Sequence, residues 1–290
     1  MKTLYLDCFS GLSGDMTIGA LLDAGGDFSY LENELKKLLI EEEYTLKKKK
    51  IIKNGITATK FDVVLTHDEA EHSHATGVVE ESIHTHEHGG HHHHSHDEHS
   101  HDEHIHTHDH HHSHDHNHDH HHRTYKDIVK MIEDSELTEK VKAMSLRVFK
   151  KIGEAEGKIH GLELDKVHFH EVGAVDSIID IVGTAILIEQ LEIEKIKSSY
   201  IPTGSGHIHI AHGVYPVPAP ATLEILTGIP LAASELKAEL TTPTGAAFAA
   251  VLVDEFCSFP AIQVEHIGYG SGTKSFPNHP NVLRVVIGEQ

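Results

Sequence analysis

At 290 residues, with 24 Lys and Arg against 45 Asp and Glu, the chain carries a formal charge of −21 and has the length for one large domain or two small ones. An acidic chain whose only basic run is Lys47–Lys50 lacks the footprint of a nucleic-acid binder, and no apolar run reaches membrane-spanning length. Cys8 and Cys257 have no metal-type spacing, and the first residues, MKTLYLDCFSG, are too polar for a signal peptide, so a reduced, cytoplasmic setting is expected.

Thr3–Asp7 reads as a short buried strand, followed by the turn SGLSGDM and a helical pattern through Ile18, Leu21 and Leu22. Strand, Gly-rich turn and helix can present backbone N–H groups to an anion. Asp7, Ser10, Gly11, Ser13, Gly14 and Asp15 are therefore candidates for a phosphate site, although the Gly-Lys-Ser/Thr ending of a P-loop is missing. The same residues equally describe a tight turn capped by Asp15. Phe28–Ile40 is a second helical segment, with Leu31, Leu35, Leu38 and Leu39 on its apolar face. Tyr44–Lys53 and Ile56–Thr66 read as strands, joined by the hairpin signal Asn54-Gly55. Lys47–Lys50 then falls on a solvated strand.

Composition changes abruptly at His67. Residues 67–122 hold 25 of the 33 histidines and 13 acidic residues, with no Lys or Arg. Setting those 13 acids aside moves the formal charge from −21 to −8. Such a segment buries too little apolar surface to offset its ordering entropy, so it is expected to be disordered. Dense imidazole and carboxylate suit exchangeable binding of a borderline divalent metal. Capacity should fall as the histidines protonate below about pH 6.5, because imidazole ligates when neutral.

Ordinary sequence resumes after Arg123. Tyr125–Ile132 is a short helix candidate, and Leu137, Val141, Met144, Val148, Ile152 and Ala155 follow helical spacing over Leu137–Gly157. His160 falls just past that helix and takes no role. Next comes HFHEVGAVDSIIDIVG, residues 168–183. In an extended His168–Glu171, His168 and His170 share a face. In a helix over Val175–Leu191, Asp176 and Asp180 sit one turn apart. Together with His212, these residues form a candidate mixed nitrogen and oxygen metal set: His168, His170, Glu171, Asp176, Asp180 and His212. The competing reading makes Ser177 and Asp180 a capping box and Asp176 a partner of the helix dipole.

Ile196–Tyr200 reads as a strand. In the next segment His207 and His209 alternate on a strand, His212 follows, and Pro216, Pro218 and Pro220 impose an extended path. Ala221–Leu226 is a short helical stretch. In ELTTPTGAAFAAVLVDEF, Thr242 or Thr244 caps a helix whose first turn holds Pro243. Ala261–Ile267 is a strand, GYGSGTKSFPNHPN a second Gly-rich loop with Lys274 available for a phosphate or carboxylate, and Asn281–Gly288 a closing strand. The expected fold class is α/β, with mixed α+β as the variant. It would be one principal domain built from residues 1–66 and 123–290 and interrupted by the insert.

Several blocks in order, YLDCFSGLSGDM, HFHEVGAVDSIIDIVG, PTGSG with AHGVYPVPAPAT, ELTTPTGAA and GYGSGTKSFPNHPNVLRVVIGE, give a chain that resembles the LarC nickel-insertion proteins. The resemblance covers Met1–Thr66 and Arg123–Glu289. It implies CTP-dependent insertion of nickel into pyridinium-3,5-bisthiocarboxylic acid mononucleotide, forming the nickel-pincer cofactor of lactate racemase-type enzymes. It also implies that the chain corresponds to the N-terminal half of the family. CTP, with magnesium, would then act through a separate C-terminal half, and a lactate racemase-type apoenzyme would lie downstream. Metal–carbon bond formation removes a ring proton, so a base is needed, and Glu171 or His170 is the expected one. The alternative from a different class is a non-catalytic nickel store or metallochaperone resting on the His tract.

Overall fold

A computed structural model of the protein describes residues 1–66, 123–167, 169, 175–210 and 213–290. The insert expected over residues 67–122 lies outside the described residues, as do His168, His170, Glu171 and His212.

The architecture is mixed α/β. Strand β1, Lys2–Asp7, is apolar and buried along most of its length, so it needs cover on both faces and both edges. Its edges are taken by β11, Val282–Glu289, antiparallel, and by β4, Lys195–Ser198, parallel. β4 pairs in parallel with β9, Glu255–Phe256. On the other side β11 pairs with β10, Gln263–Ser271, which meets the hairpin β2, Tyr44–Lys53, and β3, Ile56–Leu65. Among the described residues the sheet order is β2-β3-β10-β11-β1-β4-β9. Asn54 and Gly55 both take positive φ, 46° and 85°, the backbone a two-residue hairpin turn requires. Lys47–Lys50 is exposed, as a solvated strand should be.

The helices are α1, Gly14–Asp23; α2, Phe28–Leu35; α3, Tyr125–Asp134; α4, Glu139–His160; α5, Val175–Gln190; α6, Pro220–Ile225; and α7, Pro243–Leu252. α5 is apolar on nearly every side because it lies between α1 and α4. Each of its sealed Ile, Leu or Val side chains contributes on the order of 1.5–3 kcal/mol relative to exposure.

Several expectations need correction. α2 stops at Leu35, and a single 3-10 turn, Lys36–Leu38, follows it. Leu39 adopts the left-handed conformation, φ 57°, and is 82% exposed, so it leaves the apolar face assigned to it. GYGS belongs to β10 rather than to a loop. A Cβ on Gly268 would lie 2.1 Å from the Ala20 carbonyl oxygen, and one on Gly270 1.8 Å from that of Met16. The glycines there let α1 lie against the strand; they do not mark a turn. His160 ends α4 and pairs with Glu156 one turn back at 3.3 Å. Two smaller sheets stand apart: β5, Ile201–Pro202, with β8, Leu231–Ala232, and the hairpin of β6, His207–Ile210, with β7, Gly213–Pro216.

Candidate functional site

Three helix N-termini meet at one place. The turn after β1 delivers Ser13, the N-cap of α1, and Asp15 in its first turn. α5 brings Asp176 in its first turn and Asp180 one turn on. α7 is capped by the Thr242 hydroxyl, which accepts from the Gly245 N–H at 3.2 Å. The Thr242 N–H donates to the Leu12 carbonyl at 3.1 Å, and a Cβ on Gly245 would sit 1.8 Å from that same oxygen. Glycine at 245 is thus what lets α7 abut the β1–α1 turn. Between the helices opens a cleft of about 350 Å³, floored by Lys60 and Asp62 of β3 and edged by Glu239.

The charges in the cleft differ in how they are held. Asp15 is engaged at both oxygens, by the Ser13 hydroxyl at 2.5 Å and by Lys60 Nζ at 2.6 Å. Lys60 also reaches Asp62 at 3.1 Å and donates to its neighbour's carbonyl, that of Phe61, at 3.2 Å. Burial alone would lower the Lys60 ammonium, but the charges and hydrogen bonds of Asp15 and Asp62 outweigh it and hold it above its ordinary value.

Asp180 is different. Gly14 packs directly on it, since a Cβ there would lie 2.3 Å from Oδ2. Its residue keeps some contact with the cleft, yet Oδ1 is sealed and without a hydrogen-bond partner. Burial, then the charges of Asp15 and Asp176, hold its carboxyl well above the usual carboxylate range. Asp176 is accessible at the mouth, though the walls crowd out enough water to raise it too, against the opposing N–H of Ser177. Ser177 and Asp180 both lie inside α5, so they do not form the capping box that the spacing allowed.

Oxygen donors with excess negative charge around a single ammonium favour a cation, while the three positive helix ends favour an anionic group nearby. Among the described residues no group of three or more His, Cys, Asp or Glu is set to hold a metal by itself.

Of the residues singled out in the sequence, the cleft brings together Ser13, Gly14, Asp15, Asp176 and Asp180. It does not include Asp7, Ser10, Gly11 or Lys274. Asp7 is paired with Arg284, whose Nε donates at 2.9 Å. Ser10 is buried and donates to the Pro280 carbonyl at 2.6 Å. Gly11, with φ +96°, faces the Leu240 backbone. Lys274 is exposed on the loop after β10. Lys60, Asp62 and Glu239 were not anticipated. The signal available for the first two was a charged pair alternating on one face of an otherwise apolar and β-branched strand.

A family model described as nickel insertion protein matches residues 4–290. The chain is 49% identical to a pyridinium-3,5-bisthiocarboxylic acid mononucleotide nickel insertion protein of Geobacillus kaustophilus, over all of this chain and 60% of that protein. Proteins of the same name from Clostridium acetobutylicum and Staphylococcus epidermidis are 49% and 45% identical, over 64% and 59% of their own lengths. The chain thus spans about 60% of the curated relatives it matches. No solved structure matches it significantly. Among the described residues no helix is long and apolar enough to cross a membrane.

Proposed function

Because the chain belongs to the nickel insertion protein family, we propose that it supplies the nickel-handling part of an enzyme that inserts nickel(II) into pyridinium-3,5-bisthiocarboxylic acid mononucleotide. The observation that carries this reading is the carboxylate-rich cleft at the junction of three helix ends, in a chain matched from residue 4 to residue 290. Nickel is the substrate. Asp176 and Asp180 offer it oxygen ligands, and His168, His170 and Glu171, a few residues before α5, are the proposed partners from the same chain. The anionic mononucleotide takes the side of the cleft where Lys60 and the ends of α1 and α7 lower the cost of negative charge. Forming a nickel–carbon bond releases a ring proton, which Glu171 or His170 accepts. CTP and magnesium would act through a C-terminal portion such as that of the longer relatives, and the product would serve a lactate racemase-type apoenzyme in the cytoplasm.

A second reading, a nickel store without chemistry, draws on the 25 histidines of residues 67–122. One reconstitution separates the two. The chain, with and without residues 67–122, is mixed with nickel(II), CTP, magnesium, the mononucleotide and the C-terminal portion of a longer relative, and nickel-bearing product is followed by mass spectrometry. Product from the deleted chain at saturating nickel places the chemistry outside the tract. Product from neither chain, with nickel bound by the undeleted one, supports storage.

A further inference from the structure

The β6–β7 hairpin carries a feature that the cleft does not use. Its residues sort cleanly by face. His207 lies opposite Pro216 and His209 opposite Val214, while Ile208 lies opposite Tyr215. Directly opposed residues share a face. The face of His207, His209, Val214 and Pro216 is exposed throughout, and that of Ile208 and Tyr215 is half-buried. The two imidazoles are therefore held side by side on the solvent face, about 6.6 Å apart along the strand at about 3.3 Å per residue. Two rings at that spacing can close on one ion at metal–nitrogen distances of about 2.0–2.1 Å. Their cross-strand neighbours, Val214 and Pro216, offer neither a competing charge nor a further ligand side chain.

The hairpin is also tied down beside the cleft. Its strands close where the Val217 N–H meets the Gly206 carbonyl at 2.9 Å. Just before it, Gly204 bridges to Glu239, which edges the cleft, and the Ser205 hydroxyl donates to the Leu236 carbonyl at 3.0 Å.

We propose that His207 and His209 form a two-imidazole landing site for a borderline divalent cation at the edge of the cleft. The cation is nickel(II) on the reading above that nickel is the cargo. Imidazole suits this ion, and with two protein ligands water fills the remaining positions, so the ion exchanges readily. A site of this kind receives and releases metal, whereas a closed four-ligand site retains it.

The test uses the intact chain and nickel(II) alone. Diethyl pyrocarbonate acylates free imidazole nitrogen and spares nitrogen bound to metal. The peptide between Lys197 and Lys237 lets mass spectrometry read His207 and His209 individually as nickel is raised to saturate the whole chain. Exposed His266 on β10 serves as the internal reference. Both hairpin histidines should lose reactivity together, about tenfold once free nickel exceeds Kd by about tenfold, with His266 unchanged. In His209→Ala, His207 should recover its metal-free reactivity, because a lone imidazole lacks the chelate partner. Unaltered reactivity of His207 and His209 at saturation overturns the proposal. So does protection of His207 that survives His209→Ala, which would mean independent, adventitious binding. The readout is occupancy, so a failed insertion assay with intact paired protection sinks the enzymatic reading and leaves the site standing.

Discussion

Among the described residues, two of the clefts have nearly equal volume and differ in how their charges are matched. The first, about 350 Å³, gathers Asp15, Asp62, Asp176, Asp180 and Glu239 around Lys60. The second, about 360 Å³, opens beyond the carboxyl ends of the parallel strands β1, β4 and β9, and is lined by Asp7, Phe9, Tyr200 and Cys257 among others. By position alone the second is the more conventional ligand crevice. Yet its carboxylate is matched by Arg284, whose guanidinium also lies 5.9 Å from the Phe259 ring centre. The first leaves Asp180 Oδ1 sealed without a partner beside Asp176. A fold keeps an uncompensated buried carboxyl group at a cost, and that cost, rather than volume, is the reason the proposed cation is assigned to the first cleft.

The sharpest way to break the contrast is to remove the excess charge. Asp176→Asn combined with Asp180→Asn should lower nickel insertion in the reconstituted system by at least about 100-fold, as for lost groups acting directly on the reacting species. Asp7→Asn should stay within about twofold, since its cleft is outside the proposed chemistry. An insertion rate in the double variant near that of the parent would remove the basis for preferring the first cleft. Stability should respond unequally as well. Lys60→Met removes a buried ammonium and its pair with Asp15, while Asp62 keeps Lys49 at 3.6 Å, and should cost about 3 kcal/mol in urea unfolding. Arg284→Met loses a pair whose arginine is 39% exposed and should cost about 1 kcal/mol or less. Equal costs would mean that the two ion pairs are equally screened. The smallest effect is chemical. Cys8 is fully buried, and burial pushes its thiol up to about 12, whereas Cys257 is partly exposed on the second cleft. Iodoacetamide at pH 8 should modify one thiol per native chain, at Cys257, and both after denaturation. Modification of native Cys8 would mean that the β1 turn opens readily.

Much of the fold was legible in local chemistry. The Asn54-Gly55 hairpin, the strand Thr3–Asp7, the amphipathic α4 and the Thr242–Pro243 helix start all depend on short-range rules, namely turn conformation, side-chain period and capping, and the structure has each of them. The misreadings share one physical origin. Glycines in GYGS look like a loop when read along the chain, but they are there for α1, which arrives from about 250 residues earlier. Leu39 fits a helical stripe, but the backbone turns left-handed and exposes it.

The same division runs through the candidate site. Sequence alone determined which chemistry was at hand: carboxylates one turn apart on α5, a glycine-rich turn before α1, a threonine-capped α7 and a histidine-dense insert. These are matters of residue type and spacing, and they need no knowledge of the rest of the molecule. Tertiary structure alone decided that Lys60 floors the cleft, that Asp7 is matched by Arg284 instead of joining Asp15, and that Gly14 packs on Asp180, whose Oδ1 is sealed. The physical reason is the sheet order. β3 lies apart from β1, across β10 and β11, and α1 packs directly on β3, so which charges meet is set by contacts between elements far apart in the chain, where side-chain period carries no information.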